Sequence, residues 1–379
     1  MHCVHFSSGR CRSCDQLETP YPQQVENKQR HLQSLFDGRA VGHWLPFAFG
    51  EEQGFRNKAK MVALGVAQAP ILGILGPDGE PVSLVDCPLY SPAMTEILTA
   101  LPRFIQRAGI PPYRVHKRKG ELKFVLLTQS LAENTFMLRF VMRSDGAVER
   151  VRRMVPELLA LFPAIQVVSV NIQPIHMAIL EGEEEIFLTE RQHIVEVFNT
   201  VPLAIRPKSF FQTNPKQAAL LYQTAASWAA NISAKRIWDL FCGVGGFGLH
   251  CLNDGVSLMG IEIEPEAIRC AQASATRMGR ERNVSFSAFD ATALEARSER
   301  FPDLIIMNPP RRGIGPELCS LIDGSGVANL IYSSCNAHTL IDDLERLPHY
   351  RVFRVQGFDF FPHTRHYEVL VHLQRDVAA

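Results

Sequence analysis

Two hydrophobic rhythms divide the chain. From about Lys235 onward, short apolar runs alternate with helical patterns, which predicts a doubly wound parallel sheet. Strands are expected at "RIWDL" (Arg236 to Leu240), at "SLMGIE" ending in Glu262, before "FSAFDAT", at "DLIIM" before Asn308, and at Ala328 to Tyr332. A helix is expected over Phe247 to Asn253, and "RVFRVQGFDF" and "HYEVLVHLQR" supply the last strands. The first half, to about residue 205, has a different rhythm. There "ELKFVLLTQS" and "TFMLRFVMRS" predict antiparallel strands, followed by a helix over Val148 to Leu161 and a strand over Gln166 to Asn171. "EGEEEIFL" predicts an acidic turn and then a strand. The expected fold class is therefore α/β, with a Rossmann-like C-terminal domain over 206–379 and an α+β part before it. That part divides into a cysteine-bearing segment (1–90) and a central domain (91–205).

Charge limits how the chain can meet a polyanion. Lys+Arg and Asp+Glu both number 39, so bulk positive charge cannot hold nucleic acid, and a local patch or pocket is required. The densest cationic run is Arg114, His116, Lys117, Arg118 and Lys119, either a solvated hairpin tip ending at Gly120 or a phosphate-contacting loop. In "GFRNKAKM", Arg56, Lys58 and Lys60 alternate and would line one face of a strand, as RNA contacts or as an exposed edge. The first residues lack the apolar run of a signal peptide. The weakly apolar stretch Met61 to Gly76 contains Gln68, Pro70 and three glycines, unlike a membrane span. A cytoplasmic protein without a membrane partner is expected, and nothing suggests a dimer interface, so a monomer is expected too. In that compartment disulfides are rare, and nine cysteines must be core residues, metal ligands or catalytic groups.

The cysteines fall into two groups. Cys3, Cys11 and Cys14 form C-x7-C-x2-C in a stretch with almost no aliphatic residues. A metal or cluster closing its loops would supply the missing stability. Cys87 in "VDCPLY" is the candidate fourth ligand, with His2 and His5 as substitutes. Four thiolates hold zinc or an iron–sulfur cluster, and spacing alone does not separate them. Cys251 and Cys270 fall on helical patterns among small apolar residues and are expected in the core, Cys319 falls on a short helical pattern, and Cys242 and Cys335 each follow a strand.

The chemistry gathers at strand ends, where ligands bind in open α/β sheets. Asp239 opens D-x-x-C-G-x-G, and the turn after it carries Phe241 and Gly243. The next strand ends in Glu262, placed to accept hydrogen bonds from ribose hydroxyls. Such a turn serves NAD or S-adenosylmethionine, and Pro265 after the acidic strand leans to the latter. Asp290 lies either near an adenine or at a helix cap. Asn308-Pro309-Pro310 makes a stiff loop beside the reacting groups. Exocyclic-amine methyltransferases usually have an aromatic residue next, and here Arg311 and Arg312 follow. The fifth strand delivers "YSSCN" with Cys335, a core thiol or a nucleophile. His363, His366 and Glu368 approach the same edge, Glu368 either in a site or facing solvent on its strand.

Together "SFFQTNP", "DLFCGVGGFGL", "GIEIEPEAI", "NPPRRG", "YSSCN" and "DFFPHTRHYE" resemble the RNA uridine C5-methyltransferase family over roughly the whole chain. The resemblance implies that Cys335 adds to uracil C6, that C5 takes a methyl group from S-adenosylmethionine, and that Glu368 removes the C5 proton. It implies cofactor contacts from Gln212, Phe241, Gly243, Glu262 and Asn308, with Gln212 also able to read a uracil edge. Asn308 stands where many members have Asp, which argues against a base there. The set Cys3, Cys11, Cys14 and Cys87 resembles the 4Fe-4S ligands of some members, with zinc as the lesser occupant. Members acting on transfer RNA generally lack these cysteines. A paralogue with an added OB-type domain carries them deeper in the chain, and cysteines from residue 3 leave no room for that domain. The branch acting on 23S ribosomal RNA is therefore expected, its uridine flipped out or in a single-stranded loop. Phe210 and Phe211 either stack on a base or pack in the core. The competing readings are the same chemistry on transfer RNA, an exocyclic-amine methyltransferase, and a non-catalytic RNA-binding cluster protein. A cytosine-C5 enzyme is disfavoured, because Pro309 is followed by Pro310 and not by cysteine.

Overall fold

The computed structural model describes residues 1–177, 179–289 and 301–376. In chain order the elements begin with α1 (Val4–Ser7), α2 (Tyr21–Leu35), β1 (Val41–Trp44), β2 (Lys58–Val66), β3 (Ala69–Leu75), β4 (Pro81–Ser83) and α3 (Pro92–Arg107). They continue with β5 (Leu122–Ser130), β6 (Thr135–Met142), α4 (Val148–Leu161), β7 (Ile165–Ile172), β8 (Glu184–Phe187), β9 (Ile194–Phe198), β10 (Val201–Ile205) and α5 (Pro215–Ile232). There follow β11 (Arg236–Leu240), α6 (Gly246–His250), β12 (Ser257–Glu262), α7 (Pro265–Arg277), β13 (Val284–Ala288) and β14 (Leu304–Met307). The last are α8 (Gly315–Gly324), β15 (Asn329–Ser334), α9 (Ala337–Glu345), β16 (Tyr350–Phe358) and β17 (Glu368–Arg375).

These elements form two compact units. One comprises Met1–Leu17, Glu51–Val197 and Arg206–Lys208, and the other Glu18–Gly50, Phe198–Ile205 and the chain from Ser209 onward. The expected 1–90 segment is thus divided between the two units, because residues 18–50 belong with the C-terminal half.

The first unit is built on a seven-stranded sheet in the order β4-β3-β2-β5-β6-β7-β8. Its pairings are antiparallel except β6 with β7, which α4 links as the crossover a parallel pair requires. Leu98 and Leu101 of α3, Leu158 of α4 and Leu127 and Leu138 of the sheet share its core. Period-two alternation decides the faces of β2: Ala59, Met61 and Ala63 enter that core, and Lys58 and Lys60 stand on the other side. The Lys60 ammonium lies 5.7 Å from the Phe124 ring centroid. Arg56 precedes the strand and bridges to Tyr90. The cationic run forms a tight loop, closed by the Arg114 N–H donating to Lys119 O at 2.8 Å, with Arg118 left-handed at φ 51°. Among the described residues, Arg114, Lys117, Arg118 and Lys119 form no ion pair.

The second unit carries an eight-stranded sheet in the order β1-β16-β17-β15-β14-β11-β12-β13. Strands β11 to β15 run parallel, whereas β17 runs antiparallel to both β15 and β16. One reversed strand has a chemical result: the start of β17 reaches the edge where β11, β12, β14 and β15 end. Edge strand β1 pairs parallel with β16, Val41 opposite Val352. Helix α2 is anchored by polar groups as well as apolar ones. The Lys28 ammonium donates to Asp359 Oδ1 at 2.7 Å and to Phe361 O at 3.0 Å, and the His363 N–H donates to Gln24 Oε1 at 2.9 Å. Among the described residues no helix is long and apolar enough to cross a membrane.

Candidate active site

The glycine-rich turn after β11 holds left-handed backbone at Phe241 (φ 62°), Gly243 (φ 54°) and Gly245 (φ 87°). A Cβ at Gly243 would meet nothing within 4 Å, so the backbone there faces open space. A Cβ at Gly246 would stand 2.6 Å from the Tyr222 ring, so helix α6 requires glycine to seat against α5. The Gly243 N–H donates to Glu262 Oε2 at 3.1 Å. Glu262 Oε1 accepts from the Ile263 and Glu264 N–H groups at 2.8 and 3.1 Å, which fixes the carboxylate at the end of β12. Asp239 is fully buried, accepts from the Gly248 N–H at 2.8 Å, and is pushed up to about 7 by burial. Gly243 and Glu262 are therefore joined, and Phe241 is half-buried against the core.

Two strands over, β15 ends at Ser334 and Cys335 follows, half-buried. The antiparallel register sets Ser333 opposite Leu370 and Ser334 opposite Val369, so Cys335 and Glu368 share one end of the ladder. Glu368 does not face solvent: it is 3% exposed, and its Oε1 accepts the Ser333 hydroxyl at 2.5 Å. Burial pushes its carboxyl up to about 7, and the Ser333 bond pulls the other way. Burial, and then the charge of Glu368, raise the Cys335 thiol. The Arg311 guanidinium, within hydrogen-bonding reach, lowers it.

The loop carrying Asn308 and Arg311 is stapled to α9. Arg311 O accepts from Asn336 Nδ2 and from the Thr339 hydroxyl, each at 3.1 Å. Asp343 Oδ2 accepts from the Ile314 N–H at 2.9 Å and from the Tyr332 hydroxyl at 2.7 Å. Asn308 is half-buried directly after β14, its N–H donating to Leu240 O at 3.3 Å. Gln212 is buried just before α5. Of the neighbouring aromatics, Phe211 packs at 5.3 Å against Phe198 and Phe210 is 68% exposed. His363 is buried against Gln24, and His366 is exposed. Asp290 lies outside the described residues. Cys242, Cys251, Cys270 and Cys319 are all buried, the Cys242 sulfur lying against Gly260 of β12.

Reading the sequence for chemistry missed two members of this cluster. Arg311 stood there only as an argument against amine chemistry, and Ser333 only as part of a strand. A cation directly after a strand-end proline pair, and a doubled serine before the thiol, are the signals that could have found them.

The first unit gathers Cys3, Cys11, Cys14 and Cys87, all half-buried free thiols. Burial, then Cys87 and Cys11, push Cys14 up to about 12. Burial likewise pushes Cys87 up to about 11, with Cys3 and Cys11 adding to it. The four are thus close enough to act on one another. His5 is committed elsewhere, its Nε2 lying 2.8 Å from Asp86 Oδ1. Among the described residues no group of three or more His, Cys, Asp or Glu side chains is arranged to hold a metal ion.

Comparison with known proteins bears on this geometry. Residues 199–376 match the model of the tRNA (Uracil-5-)-methyltransferase family. The 23S rRNA (uracil(747)-C(5))-methyltransferase RlmC of Shewanella amazonensis is 56% identical, the match covering 100% of this chain and 99% of that one. The RlmC of Yersinia pseudotuberculosis is 53% identical over 98% of each chain. The structure of a Pyrococcus abyssi tRNA (uracil-54, C5)-methyltransferase in complex with S-adenosyl-L-homocysteine superposes with a TM-score of 0.80 at 24% identity. It covers 96% of this chain and 86% of that one, and it shares the α/β methyltransferase fold. At such identity over its full length, the chain belongs to the uracil-C5 RNA methyltransferase family.

Proposed function

We propose that the chain methylates C5 of a uridine in 23S ribosomal RNA, using S-adenosylmethionine, with Cys335 as nucleophile and Glu368 as base. The observation that carries this reading is the pairing of a thiol and a buried carboxyl at one end of the β15–β17 ladder, on the edge that bears the glycine-rich turn. The Cys335 thiolate adds to uracil C6, which moves electron density onto C5. Bound S-adenosylmethionine supplies an electrophilic methyl group for that carbon. Glu368 then takes the C5 proton, the C5–C6 double bond re-forms, and the C6–sulfur bond breaks.

The open, left-handed turn at Gly243 and the fixed carboxylate of Glu262 suit an adenosyl ribose, with Phe241, Gln212 and Asn308 completing the pocket. C5 and C6 cannot be reached from both faces of the ring in a stacked helix, so the uridine is unpaired or flipped out. In the first unit, the cations of the 114–119 loop and Lys60, which form no ion pair among the described residues, suit contact with RNA phosphates. We take the protein to act in the cytoplasm as a monomer. The test is purified protein with labelled S-adenosylmethionine and unmodified 23S or transfer RNA, digested to nucleosides and weighed. 5-Methyluridine in 23S RNA is expected. The same nucleoside in transfer RNA would move the substrate, and a methylated amine would overturn the chemistry.

The four thiols suit a 4Fe-4S cluster better than one zinc ion. They lie close enough to act on one another, and four thiolates closing on a cluster would stabilise a segment with almost no aliphatic residues. Its role is structural, because a thiolate nucleophile needs no electron-transfer step. Cys14→Ser is expected to lose the cluster's visible absorbance and several kcal/mol of stability in the first unit. A variant without that absorbance that melts like the parent, yet fails to turn over bound RNA, would defeat the structural role.

A further inference from the structure

We propose that Ser333 is a positioning residue for the reaction: its hydroxyl holds Glu368 as an ionised, oriented base. The inference rests on the reading of Glu368 as the base. Ser333 is 0% exposed and sits two residues before the thiol on β15, and its Oγ donates to Glu368 Oε1 at 2.5 Å. The adjacent serine does something else. Ser334 Oγ donates to Asn336 O at 3.0 Å and accepts the Asn336 N–H at 3.1 Å, building the turn that presents Cys335. The doubled serine therefore divides its work: one hydroxyl shapes the turn under the nucleophile, and the other reaches the base.

The physical argument concerns a carboxyl in a dry site. Removing water penalises the charged form, and a hydroxyl that donates to the carboxylate restores part of the loss. The titratable groups that act with Glu368 offer no positive charge of their own. Tyr222 of α5 is held protonated by burial, by Asp239 and by Glu368, and Cys335 is held protonated by burial and by Glu368. The nearby cation, Arg311, is directed at the thiol. Ser333 is thus the neutral donor that favours the ionised carboxyl and fixes one of its oxygens, leaving the other for the proton. In the step concerned, the C5–H bond breaks and its proton goes to Glu368. The electron pair forms C5=C6, and the Cys335 thiolate leaves C6.

A slowed base leaves that carbon–sulfur bond intact, so the protein–RNA adduct survives denaturant. The experiment uses the full chain, a 23S RNA fragment and S-adenosylmethionine. It reads the ratio of denaturant-stable adduct to 5-methyluridine after one turnover, across pH. Ser333→Ala is expected to raise that ratio about tenfold near neutrality, with the apparent pKa of release moved up by about one unit, and to recover at high pH. Ser333→Thr, which keeps the hydroxyl, should stay near wild type. Glu368→Gln should hold the adduct at every pH. An unmoved release profile in Ser333→Ala, beside a trapping Glu368→Gln, would overturn the role of Ser333 alone. If Glu368→Gln traps nothing, the base assignment fails and the inference falls with it. A uniform loss at all pH values, unrelieved by Thr, would mean that Ser333 only supports packing.

Discussion

Cys335→Ala should abolish 5-methyluridine formation, by about 10⁴-fold or more, while leaving folding and S-adenosylmethionine binding intact. Uracil C5 is too poor a nucleophile to take a methyl group until C6 carries an added electron donor. Cys335 is the thiol next to the Glu368 carboxyl at this sheet edge. The fold should tolerate the change, because Cys335 is half-buried beyond the last residue of β15 and losing a small group there costs about 1 kcal/mol. Burial and Glu368 raise the resting thiol, and Arg311 opposes them, so adduct formation by the wild type should climb as pH rises and the thiolate fraction grows. Mass analysis of digested RNA checks the first expectation, and denaturing gels across pH check the second. Residual methylation at C5 in the variant would remove Cys335 from the mechanism.

Lys28→Met should lower stability by roughly 3–5 kcal/mol and the melting temperature by about 10 °C. Lys28 is 4% exposed and Asp359 is 0% exposed, so the variant strands a carboxylate in a site without water. The other bond to the Asp359 carboxylate is from the Phe361 N–H at 3.2 Å, and Oδ2 has no hydrogen-bond partner among the described residues. Since the pair clamps α2 onto the turn that leads to Glu368, methyl transfer should fall along with stability. Lys28→Met combined with Asp359→Leu should regain much of the stability, because removing both charges leaves neither one buried alone. Thermal melts of the single and double variants read this. Equal melting of the single variant and wild type would mean that the pair contributes nothing.

The parallel strands were legible because they are short apolar runs, and those of β11, β12 and β14 run out within three residues of a glycine or proline. Arg236 to Leu240 and Val148 to Leu161 have the bounds expected for them. The helix after the glycine turn is shorter than Phe247 to Asn253, running Gly246–His250, because the Cys251 N–H shares itself between two carbonyls and the chain turns at Gly255. Helix α2 left little trace in the pattern. Its anchors are Gln24 and Lys28, which score as surface residues until their distant partners His363 and Asp359 are known. The Arg311–Cys335 contact was hidden for a related reason. It depends on Asp343 and Asn336 folding the Asn308 loop over α9, and no periodicity reports that. Positions in the candidate site follow from strand ends, but contacts between them follow from tertiary hydrogen bonds.

The reversed strand β17 makes the candidate chemistry depend on a reading frame. Side chains alternate along a strand, so a slip of one residue against β15 would turn Glu368 to the opposite face and bring Tyr367 or Val369 to Ser333. The nine residues 359–367 act as a ruler that sets this frame, and the Lys28 and Gln24 clamps hold the ruler at a fixed length. A single-residue insertion there would leave the strands and helices available to the chain, although a slipped β17 would turn Val369, Val371 and Leu373 away from the core they share. It would still move the carboxyl out of phase with the thiol, and the protein would become a folded methyltransferase domain unable to finish its reaction.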